Sequence, residues 1–221
     1  ELTVRVGTSE ISIAGEGRST LPKNAGNLVF QSIKLVFEKS GEILPKIGIQ
    51  CQNDIPLGRG LGSSSAAAVG GLVAGNELCG KPFSDHELLE LAASIEGHPD
   101  NAAPALLGGC QIVVQYKDRL VTSRVSVQKP IRSVLFIPDI PMPTKEARNV
   151  LDTHVCHEDA VYNVGRVALL VNALSTGDLN HLEIATQDRL HQPARQAIFP
   201  AMKNIFRAAL GAGAKGVFLS G

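Results

Sequence analysis

The sequence predicts an α+β fold, and three observations carry that prediction. Short apolar stretches that alternate like strands crowd the first half of the chain. Longer segments with helical periodicity crowd the second half. Strands and helices do not alternate regularly, as a doubly wound parallel sheet would require. The composition is that of a folded protein: 44% of the 221 residues are hydrophobic and 19% charged. A chain of this size can bury a core as one large domain or two small ones.

Residues 2–6 and 10–14 read as two short strands. Asn27-Leu28-Val29-Phe30 opens an amphipathic helix with Val29, Ile33, Val36 and Phe37 on one face. Lys46-Ile47-Gly48-Ile49 begins another strand. A glycine-rich run, Gly58 to Ser65, leads into a small apolar helix from Ala66 to Leu78. Ser84-Asp85-His86-Glu87 has the spacing of a capping box and starts a helix that ends near Glu96. After the loop Gly97-His98-Pro99-Asp100-Asn101 comes a strand from Cys110 to Tyr116. Val134-Leu135-Phe136-Ile137 reads as a buried strand ended by Pro138, and helical patterns cover 158–175 and 199–211. Lys129-Pro130 breaks the chain before the Val134 strand, which predicts two domains, 1–130 and 131–221. A strand already running at Leu2, and another still running at Leu219, predict that the chain is cut at both ends.

Lys plus Arg and Asp plus Glu balance at 21 each, so no net field points to nucleic acid or to an anionic membrane. With no Trp and two Tyr there is no platform for stacking bases. No apolar run reaches the roughly 18 residues of a membrane span. Cys51, Cys79, Cys110 and Cys156 make no C-x-x-C pair and each lies in or beside an apolar stretch. They read as reduced core residues of a cytoplasmic protein.

The strongest chemical signal is Gly58-Arg59-Gly60-Leu61-Gly62-Ser63-Ser64-Ser65. Glycines at alternate positions let the backbone take positive φ and approach a ligand closely. The helix that follows turns its unpaired N–H groups and positive dipole end toward the loop, which makes an anion site suited to phosphate. The run lacks the Lys of a Walker A loop and the spacing of a dinucleotide fingerprint. Its serine hydroxyls can donate to phosphate oxygens or ligate a metal ion.

The stretch Pro56 to Ala67 resembles the second signature of the GHMP kinases, a superfamily that includes homoserine and mevalonate kinases. The resemblance implies an ATP site at Pro56, Gly58, Arg59, Gly60, Leu61, Gly62, Ser63, Ser64 and Ser65. It assigns Mg²⁺ to Ser64, with Ser63 as the alternative, and to a Glu on the next helix, for which Glu90 is preferred over Glu96. Gly97-His98-Pro99-Asp100-Asn101 resembles the H-x-D-N segment of homoserine kinases in particular. Chemically it suits an amino acid: Asp100 can pair with an ammonium group, and His98 and Asn101 can bond a hydroxyl or carboxylate. Pro143-Thr144-Lys145-Glu146-Ala147-Arg148 and the segment Asp188 to Arg195 are similar to two further homoserine kinase segments. Through them Thr144, Arg148 and Arg195 would bind substrate, the Arg forks taking its carboxylate, with Arg189 a weaker choice.

The resemblance implies a two-domain architecture, ribosomal-protein-S5-like in its N-terminal part and ferredoxin-like in its C-terminal part. It implies ATP-dependent phosphorylation of L-homoserine in threonine biosynthesis, by a cytoplasmic homodimer. Asn101 and Asp100 would stand at the reacting hydroxyl, Asp100 as substrate ligand or as base. The family's first signature is missing upstream of Glu1 and its third is cut after Leu219-Ser220-Gly221, so these 221 residues alone are expected to be inactive. A kinase of the same superfamily with a different alcohol substrate, or a non-catalytic sensor on the same fold, would share the loop.

Overall fold

A computed structural model describes residues 1–138 and 149–220. Strands β1 (Leu2–Val6), β2 (Ile11–Gly15) and β3 (Ile47–Asn53) form a sheet in the order β1-β3-β2. β1 runs antiparallel to β3, pairing Val4 with Ile49, while β2 runs parallel to it, pairing Ile11 with Ile49. The parallel pair requires a crossover, which helix α1 (Leu28–Ser40) supplies. A βαβ unit therefore sits inside a chain whose overall pattern does not alternate. Helix α1 starts where Asn27 accepts hydrogen bonds from the N–H groups of Val29 and Phe30. Its predicted stripe is buried: Val29, Ile33 and Phe37 pack with Ile11, Ile47 and Ile49 of the sheet.

Helix α2 (Ser63–Leu78) lies against α1 at a distance that only glycine allows. A Cβ on Gly71 would stand 2.6 Å from the Val29 carbonyl oxygen and 2.7 Å from Ser32 Cβ. Helices α3 (Asp85–Glu96) and α4 (Ala102–Leu107) complete a second core in which Leu88, Leu89, Ala92, Ala102 and Ala103 meet Val69 and Leu72 of α2. The capping box of α3 forms as the sequence predicts: Ser84 Oγ accepts the Glu87 N–H, and Glu87 Oε2 accepts the Ser84 N–H at 2.8 Å. Strands β4 (Cys110–Tyr116) and β5 (Arg119–Val125) form a separate hairpin, with Lys117 at φ 54° in the turn. β5 was not expected from the sequence.

The chain divides into two compact units. One comprises Glu1–Leu57 with Leu61–Arg124, the other Gly58–Gly60 with Val125–Gly221. The described residues of the second unit hold α5 (His157–Thr176), a 3₁₀ turn at Leu179–His181, α6 (Leu182–Ala185), α7 (Gln192–Gln196) and α8 (Met202–Gly211).

Three expectations need correction. Val134–Ile137 is neither a strand nor buried: Val134 is 94% exposed and Phe136 66%. An apolar run shows where a strand could bury side chains, but a strand also needs a neighbour to pair with, and among the described residues none pairs with this one. The stretch 216–220 is likewise outside any strand. Of the cysteines, all four are free thiols, but Cys156 is exposed and the others only partly covered. Burial pushes the Cys51 thiol up. Among the described residues, no helix is long and apolar enough to cross a membrane.

Candidate functional site

The glycine loop takes the conformation that its composition suggests. Gly58, Gly60 and Gly62 have φ of 63°, 66° and 74°, values that L side chains adopt only with strain. Gly62 is the N-cap of α2 and offers no side chain to its first turn. The N–H groups there face outward from the helix end, with the positive end of the helix dipole behind them. Pro56 leads in from β3, and Arg59 and Leu61 alternate with the glycines. Ser220 donates from its hydroxyl to the Gly60 carbonyl at 2.8 Å.

The three serines have different partners. Ser63 Oγ accepts from Asn53 Nδ2 at 3.3 Å, which ties the loop to the end of β3. Ser64 and Ser65 both donate to Glu96, at 2.5 Å to Oε1 and 2.7 Å to Oε2. The carboxylate beside Ser64 is thus Glu96 and not Glu90. Glu90 instead lies 3.5 Å from His86 Nδ1 and lines a cavity of 310 Å³ with His98, Gln115 and Asp118. The two glutamates are six residues apart on α3, which turns their side chains to different faces of the helix. Glu96 is also the last residue of α3, immediately before the loop that carries His98, and that position was the signal in the sequence that could have favoured it.

That loop returns to the N-terminal end of α2. His98 Nδ1 lies 2.5 Å from Asp100 Oδ1, and the same oxygen accepts the Asn101 N–H at 2.8 Å. Asn101 immediately precedes α4, and its side chain stands 3.9 Å from where a Cβ on Gly62 would be. Gly62, Ser64, Ser65, Glu96 and Asn101 are therefore brought together within the first unit, with His98 and Asp100 one step behind Asn101.

Thr144 and Arg148 lie outside the described residues. Arg195 sits on α7, 8% exposed, with Nη1 3.2 Å from His191 Nδ1. Arg189 is more exposed, paired with Asp159 at 3.3 Å and stacked on the Tyr162 ring. Gln192, buried beside Arg195, accepts the Leu219 N–H at 3.1 Å.

The residues that fit Mg²⁺ are Ser64 and Glu96, a hydroxyl and a carboxylate at the N-terminal end of α2. Mg²⁺ prefers hard oxygen donors and commonly takes one or two from protein, the rest from water and phosphate. Among the described residues, no group of three or more His, Cys, Asp or Glu is placed to hold a metal, so a caged, all-protein metal centre is not what these residues form.

Comparison with known proteins agrees with this geometry. Residues 27–109 match the family described as the GHMP kinases N terminal domain. The chain is 44% identical to the homoserine kinase of Caldicellulosiruptor saccharolyticus over 202 residues, 91% of this chain and 66% of that protein. It is 40% identical to the homoserine kinase of Moorella thermoacetica over 222 residues, 100% of this chain and 75% of that one. The chain thus spans just under two thirds of the length of the first of these relatives. The crystal structure of homoserine kinase from Cytophaga hutchinsonii matches all of the chain and 73% of its own, with a TM-score of 0.82 and 32% identity.

Proposed function

This chain belongs to the homoserine kinase family of GHMP kinases, and we propose that it transfers the γ-phosphoryl group of ATP to the side-chain hydroxyl of L-homoserine. The products are ADP, a proton released from the hydroxyl to phosphate oxygen or solvent, and O-phospho-L-homoserine, an intermediate that the family resemblance assigns to threonine biosynthesis. The observation that carries the proposal is the meeting of Gly62, at the start of α2, with Asn101 of the H-P-D-N segment. A phosphate-binding helix end and an amino-acid-binding loop converge there.

Phosphoryl transfer asks the protein for positioning and charge stabilisation more than for covalent chemistry. The N–H groups of the loop and of the first turn of α2 hold the phosphates. Ser64 and Glu96, the latter in place of Glu90, would hold Mg²⁺, which when bound offsets the negative charge of the β- and γ-phosphates. The Asn101 amide accepts the hydroxyl hydrogen bond and aims the oxygen at phosphorus. Asp100, fixed by His98 and the Asn101 N–H, binds the ammonium group in preference to acting as base. The carboxylate is assigned to Arg148 and Arg195, and Thr144 to the same end of the substrate, on the family resemblance. The same resemblance supports a homodimer acting in the cytoplasm.

Two substitutions in the full-length protein separate the two halves of the site. Gly62→Val places a β-branched residue at φ 74°, a strain of about 1–3 kcal/mol, so the loop leaves its phosphate-binding shape and ATP affinity falls roughly tenfold. Asn101→Ala should leave ATP affinity alone and lower kcat/KM for homoserine. Calorimetric ATP titration and steady-state kinetics read both. Unchanged nucleotide binding by the folded valine variant would remove the loop from its assigned role.

A further inference from the structure

The segment Asp188 to Arg195 contains an ordered chain of three ionisable side chains. Asp188 has a side chain only 7% exposed. It accepts from Asn163 Nδ2 of α5 at 2.5 Å and from the N–H groups of His191 and Gln192 at 2.7 Å each. These last two bonds satisfy N–H groups at the start of α7 and use only the backbone of His191. The His191 ring takes no part in them. It sits between Asp188 Oδ1, 3.8 Å from Nε2, and Arg195 Nη1, 3.2 Å from Nδ1. A guanidinium can only donate. Nδ1 must therefore be the acceptor, the ring neutral, and its proton on Nε2 facing Asp188.

We propose that His191 is a positioning residue for Arg195, its neutral Nδ1 fixing the orientation of the guanidinium fork that meets the carboxylate of the amino-acid substrate. This rests on the assignment of Arg195 to that carboxylate. A ring protonated on Nδ1 can no longer accept, so the Arg195 contact breaks and becomes a repulsion between two cations. The charged groups around the ring are Asp188 and Arg195 of its own segment. From α5, Asp159 is engaged by Arg189 at 3.3 Å, and Asn163 is uncharged. Burial lowers the His191 pKa, the Asp188 charge opposes this, and Arg195 lowers it further, leaving it below the ordinary histidine value. The contact is consequently intact at neutral pH and lost on acidification.

The test uses the full-length enzyme with ATP and homoserine from pH 7.5 to 5.5. His191→Leu removes the acceptor and should raise KM for homoserine about tenfold while KM for ATP stays constant. His191→Asn keeps an acceptor on a short side chain but cannot be protonated. It should keep a homoserine KM near the unsubstituted value at pH 7.5, and that KM should stay flat on acidification while the unsubstituted enzyme's rises. A rise in His191→Asn that matches the unsubstituted enzyme's overturns the proposal. This profile decides the matter even where the leucine variant does not fold. Arg195→Lys, assayed on homoserine and on 3-aminopropan-1-ol, which lacks the carboxylate, tests the underlying assignment separately. Equal losses on both substrates remove Arg195 from the carboxylate and the inference with it. Selective loss on homoserine, with His191 variants that behave like the unsubstituted enzyme, removes only the inference.

Discussion

Replacing Gly71 by alanine tests the packing that places α2, the helix proposed to bind phosphate. The added Cβ would lie 2.6 Å from the Val29 carbonyl oxygen, 2.7 Å from Ser32 Cβ and 3.1 Å from Val29 Cα. Two of these atoms are backbone, so no rotamer change relieves the overlap and α1 and α2 must separate. Overpacking of this kind costs about 1–3 kcal/mol. Against it stands alanine's advantage over glycine in a helix interior, about 1 kcal/mol. The neighbouring Gly70 provides the control, because a Cβ there meets only Leu2 Cδ2 at 3.5 Å, an ordinary contact. Gly70→Ala should thus stabilise by up to about 1 kcal/mol, and Gly71→Ala should destabilise by up to about 2 kcal/mol, the steric cost less the propensity gain. At roughly 2–4 °C per kcal/mol for a chain of this length, the two variants should differ visibly in thermal midpoint. With no Trp in the sequence, far-UV circular dichroism is the appropriate probe. Equal stability of the two variants would mean that α1 and α2 do not meet as closely as described.

Two further outcomes follow from the site and from α7. Glu96→Ala should raise the Mg²⁺ concentration needed for half-maximal turnover by about tenfold or more, whereas Glu90→Ala should leave it unchanged; the reverse order in a Mg²⁺ titration returns the metal role to Glu90. Burial alone would raise the Asp188 carboxyl pKa, but the N–H of Gln192, the Asn163 amide and the N–H of His191 hold it below the usual value. A folded pKa below the unfolded one means that the stabilisation is complete above the unfolded value of about 3.9 and is lost as pH falls through the folded value. Asp188→Asn should therefore be less stable than the unsubstituted protein at pH 7, with the gap closing below about pH 4. Thermal midpoints measured down the pH scale check this, and a gap that persists in acid contradicts it.

The features legible in the sequence are those set by local chemistry. The glycines at 58, 60 and 62 need only their neighbours to take positive φ, and the Ser84–Glu87 box closes within four residues. The Val29–Phe37 stripe identifies a buried face without naming its partner. What the sequence hid depends on tertiary placement. The resemblance put Glu90 ahead of Glu96, yet which of them meets Ser64 is decided by how α2 and α3 pack, a contact 32 residues apart in the chain. Strand β5 was obscured because Arg119, Ser123 and Arg124 take its exposed positions together with Val121, Thr122 is half-buried, and only Leu120 and Val125 are buried. Val134–Ile137 misled in the opposite direction, since hydrophobicity alone does not supply a pairing strand.

The central claim is that the phosphoryl acceptor is homoserine. The most direct test gives the full-length enzyme ATP, Mg²⁺ and a panel of homoserine, mevalonate, L-serine and L-threonine, and follows ADP release and the phosphorylated product by mass. The account predicts the highest kcat/KM for homoserine, with mevalonate excluded because it lacks the ammonium group that Asp100 is assigned to bind. L-serine and L-threonine should fall below homoserine because their hydroxyls sit closer to the bound amino-acid end. Phosphorylation of mevalonate at a rate equal to or above that of homoserine, or ATP turnover with no phosphorylated amino acid at all, would contradict it.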